Sequence, residues 1–126
     1  RAIAMERDMD LARIILLTLA ESDKPIDAGD PIFKGYPRSL VGYHFQILNE
    51  ACLIVANVHG ADNDPYYFAT ASRLTWEGND FLDAIRDESI WKKVCSAIGK
   101  ASTSASFDVF KSVASALALE AIKSSI

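Results

Sequence analysis

Lys34, Arg38, Ser39, Tyr43, Gln46 and Asn49 crowd into one short stretch of the chain, and Arg73 follows further on. Their types suit a duplex nucleic acid. Lys and Arg neutralise phosphates, Gln and Asn pair with adenine, and Arg pairs with guanine or phosphate. Between Gly60 and Pro65, however, lie Asp62 and Asp64 with no Lys or Arg, and the chain carries a formal net charge of −4. Carboxylates repel a phosphate backbone, so the basic footprint expected of a nucleic-acid binder is missing. Asp62, Asn63, Asp64, Tyr66 and Tyr67 suit a protein partner better. Adjacent strand residues face opposite ways, so at least one of two neighbouring tyrosines should meet solvent.

Other reactive side chains lack the company that catalysis needs. His44 has no carboxylate or cysteine beside it in sequence, so it reads as a core-edge histidine with its ring hydrogen-bonded. His59 reads as exposed. Cys52 and Cys95 are too few for a disulfide framework and lack zinc-ligand spacing, which leaves two reduced, buried thiols in a cytoplasmic protein. Glu77, Asp80, Asp83, Asp87 and Glu88 read as a solvated helix face with local ion pairs and not as a cation site, since they form no compact loop of oxygen ligands. Gly99–Ser106 reads as a small, polar loop, and its Ser102, Thr103, Ser104 and Ser106 have no base placed near them. With no Gly-rich phosphate loop and no nucleophile elbow, the expectation is a non-enzymatic protein without cofactor or metal.

The elements that must position these residues follow from apolar periodicity. Val41, Phe45, Leu48 and Ala51 recur at i, i+4, i+7 and i+10, one stripe of an amphipathic helix. The chain then enters an apolar, β-branched run from Leu53, suited to a strand. A recognition helix passing straight into a β-wing has this order. Upstream, a helix is predicted from Asp8 or Asp10 to Glu21, with Leu11, Ile14, Ile15, Thr18 and Leu19 as its stripe. Lys24 to Pro37 is a Pro- and Gly-punctuated connector in which Ile32–Gly35 could pair with the wing. Pro37 suits the first turn of the following helix.

Leu53–His59 and Tyr66–Leu74 are predicted to form a hairpin around Gly60–Pro65. Period two puts Tyr66, Phe68, Thr70, Ser72 and Leu74 on one face, and Tyr67, Ala69, Ala71 and Arg73 on the other. Thr75 is the expected N-cap of a helix carrying Trp76, Phe81, Leu82 and Ile85. A further helix spans about Ser89–Lys100 and a last one about Phe107–Ser124. Trp76 and Trp91 are expected in the core.

The length of 126 residues, half of them hydrophobic, bounds the chain to one compact domain. No apolar run approaches the roughly 20 residues that span a bilayer. Residues 1–4 read as a tag remnant or upstream extension, and residues 5–126 as one domain with a helical extension from about residue 88. Helix one and the last helix are more apolar than a lone small domain needs, which points to a homodimer.

Arg7-Asp8-Met9-Asp10-Leu11, Tyr43-His44-Phe45, the block Arg73-Leu74-Thr75-Trp76-Glu77-Gly78-Asn79-Asp80-Phe81-Leu82-Asp83-Ala84-Ile85-Arg86-Asp87, and Trp91-Lys92-Lys93 together give the chain a family likeness. It resembles the bacterial and phage family known as domain of unknown function 2513. The resemblance implies a winged-helix-like fold, often in prophage or mobile-element settings, and no assigned activity. At the helix end where relatives more often carry glycine, this chain has Cys52, and a left-handed residue there would cost about 1 kcal/mol.

The expected fold is therefore α+β, a winged helix-turn-helix with extra C-terminal helices. A separate support helix before the recognition helix is short or absent. Two roles are expected from it. One is a DNA-binding regulator of phage or bacterial mobile-element type, probing double-stranded DNA with Arg38–Asn49. The other is a protein-interaction module that docks a host or phage protein and binds no DNA.

Overall fold

Residues 5–98 and 107–124 are described in a computed structural model. In chain order the elements are α1 (Met9–Glu21), β1 (Ile26–Asp27), a 3-10 turn (Pro31–Phe33), α2 (Arg38–Glu50), β2 (Ile54–Ala61), β3 (Asp64–Leu74), α3 (Trp76–Ile85), α4 (Glu88–Ile98) and α5 (Phe107–Ser124). They form two compact units that divide within α3, between Asn79 and Asp80.

In the first unit, α1 starts where Asp8 accepts hydrogen bonds from the Asp10 and Leu11 N–H groups, at 3.0 and 3.2 Å. These are donors that no helical carbonyl could reach. Leu11, Ala12, Ile15, Leu16 and Leu19 are buried. Each fully buried aliphatic side chain contributes about 1.5–3 kcal/mol. Ile14 and Thr18, expected in the same stripe, stay half-exposed.

The connector differs from expectation. Its strand is Ile26–Asp27, paired with Ala71 and Thr70 of β3. Ile32–Gly35 forms no strand, because Asp30 captures the Ile32 N–H at 3.0 Å and Pro31 enters a 3-10 turn. That turn drives Phe33 into the core, edge-on to Phe45 at 6.0 Å. Gly35, at φ +100°, then redirects the chain.

α2 buries Val41, Phe45 and Leu48 as its periodicity predicts. Ala51, assigned to the same stripe, is exposed because the helix has already ended at Glu50. The exit is left-handed at Cys52, φ 64°. The Cys52 N–H donates to the Asn49 carbonyl and the Leu53 N–H to the Leu48 carbonyl, both at 3.0 Å. This paired closure turns a helix directly into a strand.

The sheet runs β1-β3-β2, antiparallel throughout, with β3 in the middle. The hairpin is tighter than expected, closing at the Ala61–Asp64 pair. Register shifts between Val55 and Ala56 and between His59 and Ala61 break the two-residue period. As a result β3 buries Ala69, Ala71 and Leu74, a set drawn from both predicted faces. Phe68 is thrown outward.

Thr75 joins hairpin to helix. Its N–H donates to the Leu53 carbonyl, its hydroxyl donates to the Cys52 carbonyl, and the same hydroxyl accepts from the Gly78 N–H. A Cβ on Gly78 would lie 1.9 Å from the Leu53 oxygen, so only glycine fits there. Trp76, expected in the core, is 80 % exposed. At about 3.6 residues per turn it falls on the side of α3 opposite Phe81, Leu82 and Ile85.

In the second unit, Phe81, Leu82 and Ile85 are buried. The Asp87 carboxylate accepts from the Ser89 and Ile90 N–H groups and from the Ser89 hydroxyl, which caps α4 and holds that carboxyl below its ordinary range. Trp91 stacks on Phe110 of α5 with ring centroids 5.9 Å apart. Val94 and Ala114 complete the described seam. Residues 99–106, read as a serine-rich loop, lie outside the described residues.

Candidate functional site: the exposed face of α2 and the hairpin

The residues singled out for DNA contact occupy three kinds of position. Arg38 lies at the start of α2 and reaches across to β3. Its Nη1 donates to the Tyr66 carbonyl at 2.7 Å and its Nη2 to the Tyr67 carbonyl at 2.6 Å. Asp64 Oδ2 is 3.9 Å away. Two carbonyls and a carboxylate thus occupy a guanidinium that a phosphate would need. Asn49 also serves the fold: its Oδ1 accepts the Ala56 N–H at 3.0 Å, covering a donor that points off the edge of β2. Arg73 donates to the Leu74 carbonyl at 3.2 Å.

Ser39, Tyr43 and Gln46 share one side of α2 at i, i+4 and i+7. Gln46 is exposed, Ser39 and Tyr43 half-buried. Tyr43 is held edge-on between His44 at 5.6 Å and Tyr66 at 6.4 Å. Lys34 is exposed and borders a shallow cavity of about 320 Å³ with Asp30, Tyr36 and Arg38.

His44 is fully buried with both ring nitrogens in use. Nδ1 donates to the Leu40 carbonyl and Nε2 accepts the Asp8 N–H, each at 2.8 Å, which requires the neutral ring. Burial pushes its pKa below 6.5. It ties the start of α1 to α2, as a hydrogen-bonded core histidine would.

Among the hairpin residues, Asp62 and Asn63 sit exposed at the turn and Asp64 accepts the Tyr66 N–H at 2.9 Å. Tyr66 is half-buried over Gly42, where a Cβ would come within 2.9 Å of the tyrosine's own Cβ. Burial raises the Tyr66 pKa. Tyr67 is 54 % exposed, so of the two tyrosines it is the one that faces solvent.

Sequence reasoning weighed Phe68 and Trp76 and misplaced both, Phe68 on the face of Leu74 and Trp76 in the core, whereas both are exposed. Phe68 is 61 % exposed and meets the Tyr67 ring edge-on at 5.1 Å. Opposed strand residues share a face, so the Val55–Arg73, Asn57–Thr70 and His59–Phe68 pairs line the outer face of the sheet. Nothing in the periodicity marks Phe68, because the irregular register beyond it is invisible in sequence. Trp76 could have been found by plotting α3 on a helical wheel.

Residues 5–79 carry six Lys and Arg against eleven Asp and Glu. Among the described residues, no three His, Cys, Asp or Glu side chains gather as a metal site. No helix there is long and apolar enough to cross a membrane.

Comparison with known proteins returns relatives of the same kind. A protein of Haemophilus influenzae, itself described as uncharacterized, is 35 % identical over 111 residues, covering 87 % of this chain and 92 % of the relative. No solved structure matches the chain. Residues 6–104 match the family described as hypothetical protein (DUF2513), and the chain belongs to that family.

Proposed function

We propose that residues 5–79 are a winged-helix module that recognises another protein through its hairpin and performs no catalysis. The element order supports the fold reading. Helix, short strand, 3-10 turn, helix and hairpin follow one another, with the last strand central in the sheet. The 3-10 turn stands where a support helix would be.

The observation that carries the function is the exposed Tyr67–Phe68 pair beside Asp62 and Asp64. Aromatic side chains supply large contact area at protein interfaces and dominate binding energy there. The excess of carboxylates over cations in this unit disfavours a polyanion. A cytoplasmic setting suits reduced thiols, although Cys52, expected to be buried, is exposed at the left-handed exit of α2. Dimerisation through α5 belongs to the same reading, because Leu119 is exposed on a helix in which alanine and serine fill many of the remaining positions.

The test is capture from native-host extract with wild type and with a Tyr67→Ala/Phe68→Ala variant. A protein retained by the first and lost from the second supports the reading; equal retention contradicts it.

A second reading, DNA recognition, is favoured by Gln46, which stands exposed on the helix that feeds the hairpin. Retention on duplex DNA that weakens with salt and with Gln46→Ala would support it.

A further inference from the structure

Away from the hairpin, an open groove of about 690 Å³ runs between the outer side of α1 and the connector that follows it. Ile14, Leu17, Pro25 and Ile32 give it an apolar lining, and Ile32 is left 57 % exposed. An isoleucine so open on a small unit costs hydration and contributes no packing. The volume is that of a site taking several side chains of a ligand.

Charge around the groove is predominantly negative. Glu21, Asp23 and Asp30 border it against a single cation, Lys24. The groove also adjoins the C-terminal end of α1, which carries the helix's partial negative charge and has no basic residue in its last turn. A second copy of this chain, docked about a two-fold axis, would bring these carboxylates against themselves. Like charges so juxtaposed cost binding energy.

We propose that this groove binds an amphipathic segment of another protein, with apolar side chains seated on Ile14, Leu17 and Ile32 and with Lys or Arg flanking them to meet Glu21, Asp23 and Asp30. The site is separate from the hairpin and does not depend on what the hairpin recognises.

A fluorescein-labelled helical peptide of leucine and lysine is the probe, with a leucine–glutamate peptide of the same pattern as its control. Anisotropy should give micromolar binding of the first and none of the second, with amide shifts at Leu17, Thr18 and Ile32. Ile32→Glu, at an exposed position that leaves the fold intact, should weaken binding at least about tenfold. A Glu21→Lys/Asp23→Lys variant should weaken it while leaving thermal unfolding in place. Tyr67→Ala/Phe68→Ala should leave it unchanged, so failure here and failure of the hairpin reading are distinguishable. No binding, equal binding of both peptides, or shifts confined to other surfaces would overturn the proposal. So would self-association that Ile32→Glu abolishes, since that result gives the groove to a second copy.

Discussion

Gly78 and Cys52 occupy opposite ends of one junction, and their side chains should have opposite effects on stability. A methyl at Gly78 would collide with the Leu53 carbonyl, a backbone atom that cannot step aside. Gly78→Ala should therefore cost about 2 kcal/mol or more in urea unfolding. Cys52 pays for a left-handed conformation that glycine adopts freely, so Cys52→Gly should raise stability by about 1 kcal/mol. His44 adds a pH dependence. Its folded pKa lies below 6.5 through burial, with the Asp8 charge favouring the protonated ring and Arg7 opposing it. Below pH 6.5 the unfolded chain takes up a proton that the folded ring resists. The contribution of neutral His44 is thus fully present above that value and is lost as pH falls towards the folded pKa. Urea midpoints between about pH 7.5 and about pH 5.5 should fall more steeply for wild type than for His44→Gln.

At the level of elements, Arg38 acts as a clamp between α2 and β3. Removing it should cost about 1–2 kcal/mol, discounted for its partial exposure, and should speed amide exchange in the hairpin. Arg38→Lys should not restore protection, since an ammonium lacks the planar fork that reaches two carbonyls. The α1, α2 and hairpin positions were legible in the sequence because each rests on local signals: Asp8 as cap, the Val41–Phe45–Leu48 spacing, and the turn residues after His59. Faces on β3 were not legible. A bulge moves residues between faces without altering composition, so Phe68 was assigned beside Leu74 and emerged outside. Ile32–Gly35 misled for a related reason, since its β-branched start was overruled by a proline and an aspartate acting on the backbone. Of the candidate site, the residue types were readable, but their availability was not. Whether Arg38 and Asn49 face a partner or brace their own hairpin depends on distances that only folding sets.

For the whole molecule, the decisive quantity is the charge of the unit bearing the hairpin. Carboxylates there outnumber cations, and Arg38 and Arg73 donate to backbone carbonyls of the hairpin. That balance is what favours a protein over a polyanion in the proposed function. Capture from native-host extract, run with and without nuclease, tests this most directly. The expected result is a protein retained by wild type, unaffected by nuclease and lost with Tyr67→Ala/Phe68→Ala. Retention that nuclease abolishes, or that survives loss of both aromatic rings, would contradict the account.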